Sequence, residues 1–264
     1  MINLMPMAGR GSRFIEQKYN VAKPFVIVLD EPMVISALRS FPICDKYIFI
    51  ARSEHAQKLD KVLSTLKTNH EIIVVDKVTD GQACTCLLAE KLIDQNEPVF
   101  IASCDYQMVY DEAKYQKMLE NKNIDVIIWT FKIGSIKKAN PEAFAYCRVD
   151  GDNVVEVVEK KTISDDPYND HAVVGSFTYK TFKLFRDGAN SMIEKNIRVN
   201  NEFYVGTSIN QLIEKGFKVK VFEIDKFISF GHPFELETYH YWQEYFDRAV
   251  YHPYSIDYGY APKR

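Results

Sequence analysis

The chain has 264 residues, of which 47% are hydrophobic and 26% charged, a composition typical of a globular protein with one large or two small domains. Its net charge is −3 without a long run of one sign, which indicates neither a nucleic-acid surface nor an anionic-membrane surface. No apolar run reaches membrane-spanning length, no signal peptide follows Met1, and the five cysteines are an odd number in apolar contexts. We therefore expect a cytoplasmic protein with free, buried thiols.

The first half of the chain alternates short apolar runs with helical patterns. Continuous apolar runs predict strands at residues 2–5, 47–50, 72–75 and 99–102, and helical periodicity predicts helices at 33–40, 54–67 and 82–93. Strands that are apolar throughout are typical of a sheet covered on both faces. The alternation therefore predicts βαβ units and a parallel sheet.

The second half is richer in β-structure. Its pattern predicts strands at 125–131, 145–149, 154–159, 173–179 and 219–224, and helices at 181–195, 204–215 and 234–249. Asp150-Gly151-Asp152 predicts a hairpin between the second and third of these strands. From Tyr251 onward we expect an extended tail. The simplest interpretation is one α/β domain whose second half is antiparallel or mixed.

A glycine-rich loop, Ala8-Gly9-Arg10-Gly11-Ser12-Arg13, follows the first predicted strand, and Lys23 follows ten residues later. Two glycines let the backbone bend and direct several N–H groups at one object, and two arginines add permanent charge, so the loop suits a polyphosphate. It matches neither G-x-G-x-x-G nor the P-loop, because the third glycine and the Lys-Ser/Thr pair are missing. An ordinary turn between a strand and a helix is the alternative.

Asp105 follows the strand predicted at 99–102, so we expect it at the same sheet edge as the glycine loop. A carboxylate there suits a hard cation such as Mg²⁺ beside a bound triphosphate, and a helix cap or Asx-turn is the alternative. Gln82, after Gly81, opens a predicted helix and suits a base edge, unless it is a plain helix start. Glu159-Lys160 ends a predicted strand. Lys160 has a functional role only if it turns into the same cleft as Lys23, and the alternative is that these charges lie on a solvated surface.

In this order the motifs resemble those of the sugar-phosphate nucleotidylyltransferases, from residue 2 to about residue 239. The motifs are A-G-R-G-S-R (8–13), K-P (23–24), G-Q-A (81–83), an aspartate (105), V-V-E-K (157–160), V-G (174–175), E-F-Y (202–204) and F-G-H-P (230–233). The resemblance implies a Rossmann-like α/β fold of glycosyltransferase-A type, with a mixed, mainly parallel sheet flanked by helices and a more antiparallel second half. It implies one domain with a nucleotide-binding half (1–110), an acceptor-binding half (111–250) and a tail (251–264).

The resemblance also implies roles for individual residues. Arg13, Lys23 and Lys160 would be catalytic, and Asp105 would hold Mg²⁺. The residues that would bind the acceptor are Glu159, Lys160, Gly175 and Glu202. Nucleotide binding falls to a set from two loops: Ala8, Gly9, Gly11, Ser12, Arg13, Gly81 and Gln82.

The sequence departs from this family at two places. Many members read G-D-N at the metal aspartate, where this chain has Cys104-Asp105-Tyr106. Many carry a second metal aspartate where this chain has Ser229, so the second metal ligand and the role of nearby His232 stay open. The aromatic-rich second half resembles members that use CTP to activate a non-sugar phosphate such as phosphocholine or phosphoglutamine.

The expected partners are therefore a nucleoside triphosphate and a phosphorylated small molecule, which give a nucleotide-linked product and pyrophosphate. CTP is the favoured nucleotide, and UTP and dTTP stay open. The acceptor is either a sugar 1-phosphate or a non-sugar phosphate such as phosphocholine or phosphoglutamine. The product would serve cell-surface polysaccharide synthesis. A glycosyltransferase using an NDP-sugar is disfavoured, because Asp105-Tyr106-Gln107 lacks D-x-D. A non-catalytic nucleotide-binding protein is favoured by loss of the later aspartate but disfavoured by a retained set: Arg13, Lys23, Asp105 and Lys160. The oligomeric state is left open, with a homo-oligomer as one alternative.

Overall fold

A computed structural model describes residues 1–249 except Arg10, Lys18 and 135–139, and the side chains of Ser12 and Arg13 also lie outside the described part. The tail predicted from Tyr251 falls outside the described residues. The strands are β1 (Ile2–Met7), β2 (Ile27–Val28), β3 (Glu31–Pro32), β4 (Lys46–Arg52), β5 (His70–Val75), β6 (Val99–Ile101), β7 (Tyr106–Val109), β8 (Val126–Phe131), β9 (Ala145–Asp150), β10 (Asn153–Glu159), β11 (His171–Tyr179), β12 (Val219–Glu223) and β13 (Lys226–Ser229). The α-helices are α1 (Ser12–Glu16), α2 (Met33–Leu38), α3 (Ser53–Leu63), α4 (Gln82–Leu87), α5 (Glu112–Glu120), α6 (Phe182–Glu194), α7 (Val205–Ile213) and α8 (Pro233–Arg248).

One nine-stranded sheet organises the fold, in the order β5-β4-β1-β6-β11-β8-β12-β10-β9. The strands β5, β4, β1 and β6 are mutually parallel, β12 is parallel to β8, and only β10 and β11 run against the rest. The predicted fold class, a mixed and mainly parallel sheet with a more antiparallel second half, is confirmed. The hairpin predicted at Asp150-Gly151-Asp152 joins β9 to β10, with Gly151 at φ 62° as a tight turn requires.

Helices cover both faces of the sheet, which is why its central strands are apolar without alternation. On one face, α6 and α7 bury Phe182, Phe185 and Leu212 against the sheet. On the other face, Trp129 of β8 is fully buried, with the ring of Tyr115 from α5 at 4.6 Å between centroids. These two hydrophobic cores hold the sheet between its helices, and the candidate site described below lies at the ends of its strands.

Several parts of the fold differ from the sequence prediction, including the short helix α1 and the ribbon of β2 and β3, which were not predicted. The helix predicted at 82–93 ends at Leu87 and resumes as a 3₁₀ turn, Glu90–Leu92. Helix α5 was not predicted, because its sequence is mostly polar and buries only Tyr115 fully; the side chain of Asp111 caps it by accepting from Lys114 N. The ribbon of β7 and β13 was also not predicted, because its two short strands lie far apart in the chain.

Four cysteines agree with the prediction of buried thiols: Cys44, Cys86, Cys104 and Cys147. Burial raises the pKa of each of these thiols. Cys84 is partly exposed. In the described part of the chain, no helix combines the length and the apolarity needed to cross a membrane.

Gly81, just before α4, lies in close contact with Phe203 from the second half of the chain. Phe203 N donates to Asp80 O at 2.8 Å, and Ala83 N donates to Phe203 O at 3.0 Å. Gly81 has φ 133°, and a Cβ added to it would lie 2.5 Å from Phe203 N and 2.6 Å from Phe203 O. Only glycine permits both this backbone conformation and this approach. The segment that leads into α7 is thereby fixed to the start of α4.

We predict that Gly81→Ala lowers the free energy of unfolding by about 2 kcal/mol or more, because strain and a backbone clash add. Gly216→Ala is the matched control, since Gly216 also has a positive φ (84°) but nothing lies within 4 Å of its Cβ position. Urea denaturation measures both. Equal losses in the two variants would mean that the contact with Phe203 contributes nothing.

Candidate active site

A cavity of about 660 Å³ opens beside the end of β6 and is bordered by both halves of the chain. Five of the residues predicted from the sequence line it together: Gln82, Asp105, Glu159, Lys160 and Gly175. The end of β6, the start of α4 and the end of β10 supply four of them. Binding sites lie at such strand ends in open α/β sheets, because the loops there converge while the sheet stays rigid.

Asp105 and Lys23 form an ion pair at this cavity. Lys23 Nζ lies 2.6 Å from Asp105 Oδ2 and 3.4 Å from the carbonyl oxygen of Gly231, and the Ser103 hydroxyl donates to Asp105 Oδ1. Burial opposes ionisation of Asp105, but the charge of Lys23 and the hydrogen bonds from Lys23 and Ser103 hold its pKa below the ordinary value. Asp105 is therefore a carboxylate at neutral pH.

The glycine loop lies next to this pair. Gly11 adopts a left-handed conformation (φ 61°) directly before α1, and a Cβ added to it would lie 3.6 Å from Lys23 Cβ. No atom lies within 4 Å of a Cβ position on Gly9, so the loop presents open backbone there. Ala8 is buried at the end of β1. The side chains of Ser12 and Arg13 are outside the described part, so their assignments stay predictions.

Glu159 and Lys160 line the same cavity from the second half of the chain. The Glu159 carboxylate packs against Gly206 in the first turn of α7, where an added Cβ would lie 2.5 Å from Glu159 Oε1. Burial raises the pKa of Glu159 to about 7, against the opposing charge of Lys160. Lys160 has a left-handed backbone (φ 55°), and its Nζ donates to the carbonyl of Ala143. A residue with a left-handed backbone beside a half-buried acid of raised pKa is typical of a functional site.

Gly175 and Glu202 differ in placement. Gly175 (φ 100°) lies in β11 and lines the cavity, with the Tyr106 ring 3.7 Å from its Cβ position. Glu202 is exposed, its backbone pairs with Val199, and it does not line the cavity. Tyr204, two residues later, lines the cavity instead. The E-F-Y motif therefore directs its aromatic end, not its acidic end, at the site.

The sequence interpretation missed Glu235. It lies in the first turn of α8 and lines the cavity, together with Ser229, Gly231 and His232. His232 caps α8 through its side chain, which accepts from Phe234 N at 3.2 Å. The available signal was local: an acidic residue three positions after a capping residue, with Pro233 between them.

Among the described residues, no three His, Cys, Asp or Glu side chains are placed to hold a metal ion by themselves. Mg²⁺ in nucleotide sites is usually held by one or two carboxylates and the substrate's phosphates, with water completing the shell. An ionised Asp105 on the cavity wall fits that kind of donor set.

We predict that the difference in melting temperature between Glu159→Gln and the wild type grows in favour of the variant as pH rises from about 5 to about 8. A raised pKa means that the folded protein holds the proton more tightly than the unfolded chain. Stability is thus greatest when Glu159 is protonated and is lost as pH rises through about 7. Glutamine mimics the protonated acid and removes this loss.

Thermal denaturation across that pH range makes the measurement. Glu156→Gln, an exposed carboxylate on the same strand, is the control and should show no such trend. A constant difference between Glu159→Gln and the wild type would show that Glu159 titrates at its ordinary pKa.

Solved structures share this fold. The nucleoside-diphosphate-sugar pyrophosphorylase from Vibrio cholerae RC9 superposes with a TM-score of 0.73 at 19% identity, over 90% of this chain and 99% of that chain. The inositol-1-phosphate CTP transferase from T. maritima superposes with a TM-score of 0.70 at 17% identity, over 90% and 93%.

Sequence comparison leads to the family. The bifunctional protein GlmU of Campylobacter fetus subsp. fetus (strain 82-40) is 24% identical over 224 residues, which cover 83% of this chain and 48% of GlmU. This chain thus aligns with about half the length of that curated relative. The nucleotidyl transferase family model matches residues 4–227, well over half of the chain, and the protein therefore belongs to the nucleotidyl transferase family.

Proposed function

We propose that this protein transfers a nucleotidyl group from a nucleoside triphosphate to a phosphorylated small molecule, with release of pyrophosphate. One observation supports this most. Asp105, in contact with Lys23 at 2.6 Å, lines the same cavity as Lys160 from the second half of the chain. Two cationic groups from the two halves of the chain, Lys23 beside Asp105 and Lys160 on the cavity wall, suit two phosphorylated substrates.

In this reaction an oxygen of the acceptor's phosphate attacks the α-phosphorus, the bond to the bridging oxygen of the β-phosphate breaks, and pyrophosphate leaves. No protein nucleophile is needed, because the acceptor's phosphate is itself the nucleophile. The protein positions the substrates and neutralises charge. Lys23 stabilises the charge that develops at the α-phosphate, Arg13 and the N–H groups of the 8–13 loop hold the pyrophosphate, and Lys160 orients the acceptor.

We extend the proposal to Mg²⁺, with Asp105 as its protein ligand. When bound, the ion would neutralise part of the triphosphate charge. The donor chemistry supports this assignment, because an ionised carboxylate at a phosphate site is the ligand that a hard cation prefers. Asp105 also holds Lys23 in place by the ion pair.

For the base we propose CTP, with Gln82 and Gly81 at its edge, and for the acceptor a phosphate with an apolar or cationic group. The aromatic side chains of Phe144, Tyr204 and Phe227 on the cavity wall support such an acceptor. A sugar 1-phosphate is the alternative. We place the reaction in the cytoplasm, in a pathway that supplies cell-surface polysaccharide.

A screen for pyrophosphate release tests the proposal. Four nucleoside triphosphates are each combined with phosphorylated sugars, alcohols and amides, with Mg²⁺ present. Release that needs both a nucleotide and an acceptor supports nucleotidyl transfer. Release without any acceptor, or transfer from an NDP-sugar, would contradict it.

We predict that Lys23→Ala lowers kcat about 10²-fold or more, because it removes one electrostatic contact that matters most in the transition state. Steady-state kinetics with both substrates saturating measure the effect. Lys91→Ala, at an exposed position, is the control for loss of a surface charge. An unchanged kcat in the Lys23 variant would remove this residue from the chemistry.

We predict that Lys160→Ala raises the KM of the acceptor far more than the KM of the nucleotide, because Lys160 lines the cavity and, in the proposed arrangement, binds the acceptor's phosphate. Its exposed neighbour Lys161 provides the matched control, Lys161→Ala. Initial rates with each substrate varied in turn give both constants. An equal rise in both KM values would mean that the cavity is not divided between the two substrates in this way.

A further inference from the structure

Three oxygen-bearing side chains from two distant parts of the chain meet beside Gly231. A Cβ added to Gly231 would lie 3.4 Å from Asp105 Oδ2, 3.4 Å from Ser229 Oγ and 3.6 Å from Glu235 Oε2. Asp105 follows β6, Ser229 ends β13, and Glu235 lies in the first turn of α8. Glycine at 231 leaves open the spot on which these oxygens converge.

Backbone and side-chain hydrogen bonds hold this arrangement. Phe230 N donates to the carbonyl oxygen of Asp105 at 2.8 Å, which ties the end of β13 to the loop that carries Asp105. Glu235 Oε2 accepts from the Ser229 hydroxyl at 2.7 Å and from His232 N at 2.9 Å. The Glu235 carboxylate is therefore fixed in place at the cavity wall, as a preorganised ligand must be.

The local charges show what Glu235 adds. Both oxygens of Asp105 already have partners: Oδ2 contacts Lys23 Nζ, and Oδ1 accepts from Ser103. The Lys23–Asp105 pair is neutral as a unit, so by itself it attracts a divalent cation weakly. Glu235 supplies a second negative charge beside the pair, so that Lys23, Asp105 and Glu235 together carry a net negative charge.

We propose that Glu235, supported by the Ser229 hydroxyl, is the second carboxylate of a divalent-cation site whose first carboxylate is Asp105. The cation would lie between the two acids, at the open spot beside Gly231, where the nucleotide's phosphates complete its ligands. This inference rests on the proposed function for the role of the cation. Helix capping alone would explain the position of Glu235 but gives no role to its charge, because glutamine caps at the same position equally well.

Mn²⁺ binding tests the proposal, measured as the loss of the EPR signal of free Mn²⁺ when the wild-type protein is added. Glu235→Gln keeps the capping geometry and removes the charge. We expect its Kd for Mn²⁺ to rise about tenfold or more, since perturbing even an outer-shell partner of a metal costs 10- to 100-fold in affinity. Glu237→Gln, an exposed acid on the same helix, is the control and should bind Mn²⁺ as the wild type does.

A rescue variant separates a ligand from a cap. Ser229→Asp in the Glu235→Gln background restores a carboxylate at the same spot by another route, so we expect Mn²⁺ affinity to return toward the wild-type value. Equal Mn²⁺ affinity in Glu235→Gln and the wild type, failure of the rescue, or no Mn²⁺ binding by the wild type would each overturn the proposal.

The two proposals fail separately. Pyrophosphate release by the wild type, together with Mn²⁺ binding that ignores Glu235, would leave the proposed function intact and remove Glu235 from the metal site. Mn²⁺ binding that depends on Glu235, without any pyrophosphate release, would support the site and contradict the proposed function.

Discussion

The ion pair between Lys23 and Asp105 is the contact on which the geometry of the site depends. It joins the segment after the glycine loop to the loop after β6, and the carbonyl of Gly231 adds the segment before α8. Both side chains are largely shielded from water, with 20% and 25% of their surfaces exposed. Removing one partner would leave the other charge shielded from water and uncompensated. In the proposed reaction a bound phosphate would compete with Asp105 for Lys23, and a cation bound to Asp105 would make that exchange easier.

A second constraint couples the two walls of the cavity through helix α7. The backbone of Phe203, just before this helix, is hydrogen-bonded to the start of α4, beside Gln82. The first turn of the same helix packs Gly206 against Glu159. The residue pair proposed for the base and the acid proposed for the acceptor thus share one rigid connection. Substitutions at Gly81 or Gly206 would act on both substrates because glycine is what allows each close approach.

Much of the site follows from sequence, because parallel strands carry their following loops to one edge of the sheet. That rule places Asp105 and the glycine loop together once the strands are recognised, and it needs no knowledge of side-chain contacts. Placing Lys160 in the cavity needs more than this rule, because the direction of its side chain depends on the hairpin of β9 and β10 and on a left-handed backbone at the strand end. Glu202 shows the limit of this rule, since it is exposed while Tyr204 of the same motif lines the cavity. The side chain of Arg13 lies outside the described part, so its role stays a prediction.

Glu235 could not be found from strand ends, because it reaches the cavity from a helix N-terminus more than a hundred residues after Asp105. Local sequence explains it fully as a capping residue, and only the fold brings that cap beside Asp105. The two roles are physically compatible. A carboxylate in the first turn of a helix is stabilised by the exposed N–H groups there, so its negative charge can be kept close to a second acid at a lower cost. With Ser229 as a hydrogen-bond donor rather than an acid, the proposed cation site keeps two carboxylates in total and takes one of them from a position that the helix itself stabilises.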